Sequence, residues 1–283
     1  MAKIVGGFCM PHDPLITGNP EFAPPEQAAK VMAAYADIRR RVEELDADTV
    51  IVIGDDHYVL FGPGCVPQML IAIGELEGPI ENWLGIERDV VPGHPALAEH
   101  IMKTGFDRGF DWAVSKEMTL DHSTMVPIHL TLRGNSKVRV IPVYLCSGVT
   151  PVIRAERAFA VGKLLREAVE SWPGNERVVV YGTGGISHWV GSKEMGRVNE
   201  EFDHRVLSMV ERGDVASLLA MDDAYILEHG GNGALEIRNW ICALGAMTPP
   251  GGRVTGRTLV YEPIPPWVTG IGLVELQQSG GAK

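Results

Sequence analysis

Cysteine is scarce in this chain, with four in 283 residues (Cys9, Cys65, Cys146, Cys242). None forms a CxxC pair, so neither a disulfide framework nor a zinc–thiolate site is expected, and reduced thiols in a cytoplasm are. Positive charge is also short: 25 Lys and Arg against 36 Asp and Glu give a formal charge of −11. With no basic run, a nucleic-acid backbone or an anionic membrane surface is not an expected partner. No apolar stretch approaches the roughly 18 residues that a membrane span needs. The opening residues MAKIVGGFCMPHD lack the apolar core of a signal peptide. Several catalytic signatures are missing as well: HExxH, the P-loop GK[ST], a GxGxxG fingerprint and the GxSxG elbow.

What remains is an ordinary globular composition, 45% hydrophobic and 22% charged, in a chain long enough to bury a large core. Apolar, β-branched runs predict strands at 3–8, 49–53, 66–73, 138–145, 177–181, 258–261 and 268–276. Helical periodicity predicts helices at about 25–45, 95–103, 154–172, 193–212 and 233–247. Strands alternating with helices imply an α/β fold, a single domain with a central mixed, mainly parallel sheet and helices on both faces. The domain is expected to span 1–276, with 277–283 a disordered tail.

Three of the strands run into a histidine: KIVGGFCMPH into His12, TVIVIGDDH into His57 and VVVYGTGGISH into His188. The carboxyl ends of neighbouring parallel strands share one crevice, so these side chains can meet there as a metal or acid–base site. His122, in LDHSTMVP, is expected in a loop. His100 and His204 sit among charged residues of helices, His94 opens a helix and His129 lies in an apolar run. Asp55-Asp56-His57 reads two ways, as a carboxylate orienting an imidazole or as a polar turn closing a strand. The glycines of GTGG let the backbone turn sharply and approach a ligand beside His188. A carboxylate would complete a two-His-one-carboxylate iron site. Glu236, in the opening turn of an apolar helix, is a candidate, although a Glu is favoured there by the helix dipole alone.

The ordered set MPHDP, GDDH, GHPALAEHI, LDHSTMVP, YGTGGISHWVG, NEEFDHRVL and GNGALEIRNW resembles the class III extradiol ring-cleaving dioxygenases, over most of the chain. The resemblance implies Fe(2+) held by His12, His57 and Glu236, with His188 as catalytic base and His122 as a second active-site histidine. It implies a small aromatic diol and O2 as substrates, and a homo-oligomer or a separate small α-type subunit as partner. MPH and DDH depart from the family's usual SHxP and NDH, which touches the surroundings of the ligands rather than their identity. Two other functions use the same side chains: a zinc hydrolase with an activated water, and a non-catalytic metal-binding or interaction protein.

Overall fold

The structure, a computed structural model, describes residues 1–135 and 137–280. Among the described residues nine strands form one mixed sheet: β1 (Lys3–Met10), β2 (Thr49–Gly54), β3 (Met69–Gly78), β4 (Asp89–Val90), β5 (Ala113–Thr119), β6 (Arg139–Leu145), β7 (Arg177–Thr183), β8 (Arg253–Ile264) and β9 (Thr269–Ser279). Their order is β4-β3-β6-β2-β7-β1-β9-β8, with β5 also paired to β3. The four central strands, β6, β2, β7 and β1, are parallel. The outer pairings of β3 with β6, β9 with β1 and β8 with β9 are antiparallel. Every residue of β2 is buried, as its unbroken TVIVIG run demands of a strand covered on both faces. Each such Val or Ile contributes roughly 1.5–3 kcal/mol by leaving water.

The helices are α1 (Leu15–Gly18), α2 (Pro25–Glu44), α3 (Pro95–Asp107), α4 (His122–Leu132), α5 (Ala155–Ser171), α6 (Glu200–Arg212), α7 (Val215–Leu219), α8 (Asp223–His229) and α9 (Ile237–Met247). On one face of the sheet, Val31, Tyr35, Ile38 and Val42 of α2 and the apolar residues of α4 meet Phe8, Val50, Val52, Val179 and Tyr181. On the other, α3, α5 and α9 cover Ile51, Ile53, Ile141, Val143, Val178 and Val180. α9 is buried along its whole length. It lies so close to α5 that a methyl on Gly162 would meet the Cys242 carbonyl at 1.9 Å.

The α/β sandwich expected from the sequence is present, and several boundaries differ. Residues 193–199 are not helical; α6 starts at Glu200, where the Asn199 side chain accepts the Phe202 N–H and caps it. Gly233–Glu236 is a tight 3-10 turn before α9 rather than part of one long helix. β3 continues to Gly78 and pairs with β5, neither of which the apolar pattern reveals. This end of β3 is flanked by β4 and β5 at the margin of the sheet, where exposed Glu75 and Glu77 are tolerated and hydrophobic alternation fades. Gln277–Ser279, expected in a frayed tail, extend β9 and pair with Arg253–Thr255, because the long β8 offers them a ladder. Residues 281–283 lie outside the described part. All four cysteines are unpaired. Among the described residues no helix is long and apolar enough to cross a membrane.

Candidate functional site

The parallel register sets Met10 beside Thr183 and Ile53 beside Gly182, so β1, β2 and β7 end together. His12 follows β1 by two residues, His57 follows β2 by three and His188 follows β7 by five. Glu236 is delivered to the same place from the 3-10 turn before α9. With His122 these side chains line one cavity of about 270 Å³, together with Asp13, Leu15, Trp83, Val190, Met195 and Thr269. All five residues singled out in the sequence therefore meet.

Glu236 is the hub. Its Oε1 lies 2.9 Å from His57 Nε2 and 3.5 Å from His188 Nε2, and its Oε2 lies 3.4 Å from His12 Nε2. Oε2 also accepts the Gly185 N–H at 2.8 Å. That approach explains the glycine turn: Gly184 has φ +133°, and a methyl there would meet Glu236 Cβ at 2.7 Å. A methyl on Gly185 would meet His188 Nδ1 at the same distance, so the turn packs against two protein side chains.

The tautomer of His12 follows from its neighbour. The Thr183 hydroxyl gives its single proton to a backbone carbonyl, Ile53 or Ser123, each 3.1 Å away. Toward His12 Nδ1, at 3.0 Å, it must accept, so Nδ1 carries the proton and Nε2 carries a lone pair. Burial pushes the His12 pKa down despite the pull of Glu236 and Asp55, and the ring is neutral at pH 7. Nε2 has no hydrogen-bond partner and faces a carboxylate oxygen. Two buried acceptors opposed in this way are a cation's donors.

Burial alone would lower the His57 pKa, but Asp55 and Glu236 outweigh it and carry it up to about 10. Burial likewise opposes protonation of His188, and Glu236 reverses the direction upward. Glu236 itself is held well below the usual carboxylate range: burial works against ionisation, and the charge of His188 overcomes it. The pocket thus gathers negative potential around Glu236 that proton or metal can satisfy.

The DDH segment resolves both readings of it. Asp56 closes the turn, accepting the N–H groups of Val59, Leu60 and Phe61. Asp55 instead faces the histidines, 3.5 Å from His57 Nε2 and 3.9 Å from His12 Nε2. His122 is not in a loop but opens α4; its main-chain N–H and its Nδ1–H both donate to Glu81, which leaves Nε2 toward the cavity. His188 Nδ1 donates to the Ile186 carbonyl at 3.3 Å and so also offers Nε2. His94 caps α3, pairing with Glu176.

Two supporting carboxylates escape sequence reasoning. Glu81 lies in the irregular stretch after β3, where no pattern flags it. Asp203, on the first turn of α6, accepts the Ser187 N–H and Oγ–H and the Tyr261 hydroxyl, anchoring the residue next to His188. Its presence in the NEEFDHRVL motif is its only signal in the sequence. Asp13, in MPHDP, lines the cavity, and burial pushes its pKa up to about 7.

A family model described as the catalytic LigB subunit of aromatic ring-opening dioxygenase matches residues 6–272. The chain belongs to that family. It is an extradiol ring-cleaving dioxygenase, a metal-dependent oxidoreductase acting on an aromatic diol and O2. Named relatives agree over nearly the full length. A 2,3-dihydroxyphenylpropionate/2,3-dihydroxicinnamic acid 1,2-dioxygenase of Klebsiella pneumoniae is 27% identical, covering 93% of this chain and 96% of the relative. The protein of the same name from Paraburkholderia phymatum is also 27% identical, over 95% and 96%. That from Escherichia coli is 24% identical, over 93% and 96%. Among solved structures, an uncharacterized protein of Escherichia coli K12 shares the fold, with a TM-score of 0.55 and 11% identity over 96% of this chain and 99% of that one.

Proposed function

We propose that this LigB-family chain is an Fe(II)-dependent extradiol dioxygenase for a single-ring vicinal diol, with His12, His57 and Glu236 as the iron ligands. The observation that carries this reading is the opposition of the His12 Nε2 lone pair to Glu236 Oε2 at 3.4 Å with no donor between them. Two imidazoles and a carboxylate suit ferrous iron, which would take the place of the proton that His57 otherwise holds, and leave further positions open. When bound, the iron supplies a template for both diol oxygens and O2 and a route for ring electrons to oxygen.

The remaining roles follow from which nitrogen each ring offers. His188 turns Nε2 to the cavity with Nδ1–H fixed on Ile186, so it takes a diol proton at Nε2 and later returns it. Glu236 beside it favours the protonated form and makes it a competent base. His122 is held by Glu81 and presents Nε2, from which it hydrogen-bonds a substrate oxygen. Leu15, Trp83, Val190, Met195 and Val268 exclude water around the ring. A cavity of about 270 Å³ suits one ring with a short substituent, in keeping with relatives named for dihydroxyphenylpropionate. Trp83, Val190 and Met195 are 49%, 45% and 56% exposed, and this apolar mouth is the place for a second copy or a small α-type subunit to close the site.

Anaerobic reconstitution with Fe(II), followed by oxygen-electrode assays on phenylpropionate diols, protocatechuate, gallate, catechol and heterocyclic diols, tests the reading. One O2 consumed per ring cleaved beside the diol, without nicotinamide or flavin, is expected. Cleavage between the two hydroxyls, or activity restored only by Zn(II) with no O2 uptake, overturns it.

A further inference from the structure

The wall of the cavity is unbalanced in charge. Among the described residues that line it, Asp13 and Glu236 are acids and none is Lys or Arg. On the segment that carries Val190 and Met195, Arg197 lies over the Trp189 ring and pairs with Glu194, and Lys193 is exposed and outside the lining. The rest of the wall toward the mouth is apolar: Pro14, Leu15, Trp83, Val190, Met195 and Val268.

Asp13 stands apart from the metal donors. His12, Asp55, His57, His122 and Glu236 bring donor atoms within 4.8 Å of one another in two groups, and Asp13 is in neither. Its Oδ1 accepts the Leu15 N–H at 2.8 Å. The Tyr35 hydroxyl, whose ionisation the Asp13 charge opposes, gives its proton to the Pro11 carbonyl instead. Among the described residues no donor meets Oδ2, and the carboxylate opens on the cavity, where its charge acts on His188 and His122.

We propose that Asp13 sets the substrate class: the site takes vicinal diols whose ring substituent is uncharged or cationic and carries a hydrogen-bond donor, and it turns away carboxylates. This rests on the reading of the site as an extradiol centre, in which His12 and His57 are taken by the metal and His188 and His122 by the diol oxygens. A carboxylate on the ring then enters an apolar space with no cationic partner, and a buried unpaired charge is costly. Asp13 adds like-charge repulsion. An amide or ammonium group of the same length finds an acceptor in Oδ2, and the polar acceptor that rewards it penalises a substituent unable to donate. The relatives named for dihydroxyphenylpropionate match this cavity in the size of their substrate, and the charge of its wall points to a different substituent.

The test is anaerobic calorimetric titration of the Fe(II)-loaded full chain at about pH 8, which keeps Asp13 ionised. The probes are catechol, 3-(2,3-dihydroxyphenyl)propionate, its primary amide and 3-(3-aminopropyl)catechol. The amide and the amine are expected to bind more tightly than the carboxylate by roughly 10–100-fold, the scale of one nearby charge at an intermediate dielectric. Asp13→Asn, which can keep the Leu15 bond through its amide oxygen, is expected to strengthen the carboxylate, weaken the amine and close most of that gap. Iron content of the variant shows that the neighbouring His12 still holds the metal. A carboxylate that binds the parent as tightly as the amide, or a gap unchanged in Asp13→Asn, overturns the proposal and leaves the extradiol reading standing. Failure of catechol itself to bind the iron-loaded parent overturns that reading and the proposal with it.

Discussion

His12 Nε2 and Glu236 Oε2 face each other at 3.4 Å, a lone pair against a carboxylate, both sequestered from solvent. Thr183 enforces this by accepting the proton on the far side of the His12 ring. Replacing His12, His57 or Glu236 with Ala is expected to abolish stoichiometric iron binding and turnover together. Colorimetric iron determination on protein reconstituted without oxygen checks it; full iron in the Glu236 variant would remove that carboxylate from the ligand set.

Thr183→Val removes the acceptor that fixes the His12 tautomer. Metal affinity is expected to fall by roughly 10–100-fold, the scale seen when a partner orienting a ligand histidine is lost. Thr183→Ser should restore it, because only the hydroxyl matters to the ring. Competition with a chelator of known affinity provides the measurement.

His188→Gln is expected to keep near-parental iron while the rate falls by roughly 10²–10⁴-fold, the range for loss of a general acid or base. Its alkaline rate profile should change with it, since the hydroxyl proton then leaves to solvent. Bound iron and the pH–rate curve, determined on the same preparation, decide the role. Loss of iron in step with activity would make His188 a ligand instead.

Glu81→Gln should resemble a mild form of His122→Ala. The first loosens the ring from its fixed orientation and the second removes the ring, and water can replace part of a lost hydrogen bond. KM is expected to rise in each, with iron content unchanged. An unaltered KM in His122→Ala would take that ring off the substrate.

Asp203 titrates at about 6 because burial raises it, more than its bonds from Tyr261 and Ser187 lower it. The folded state therefore holds this proton more tightly than the unfolded one. Its stabilising contribution is complete below about pH 4 and is lost as pH rises through about 6, a change of roughly 3 kcal/mol. In the metal-free chain, the stability difference between parent and Asp203→Asn should shrink across that window and stay flat above it. Denaturant unfolding at pH 4, 5, 6 and 7 measures it, and a constant difference would mean the carboxylate is ionised throughout.

The sequence by itself determined the layers of this fold. Strands such as TVIVIG and RVVVY are unbroken β-branched runs because both faces are covered, and α2 and α5 repeat their apolar residues at the helical period. It also determined which residues end those strands, and parallel neighbours ending in register explain why His12, His57 and His188 converge. Only the tertiary structure decided what each does there. The protonated nitrogen of His12 depends on Thr183, 171 residues away, and the carboxylate that holds His122 comes from a segment without pattern. The Asp55-Asp56 pair is split between site and turn by backbone direction, which neighbouring identical residues cannot reveal. Periodicity records which face of an element leaves water. Hydrogen-bond geometry at the site depends on distances between separate elements, and those exist only once the sheet has assembled.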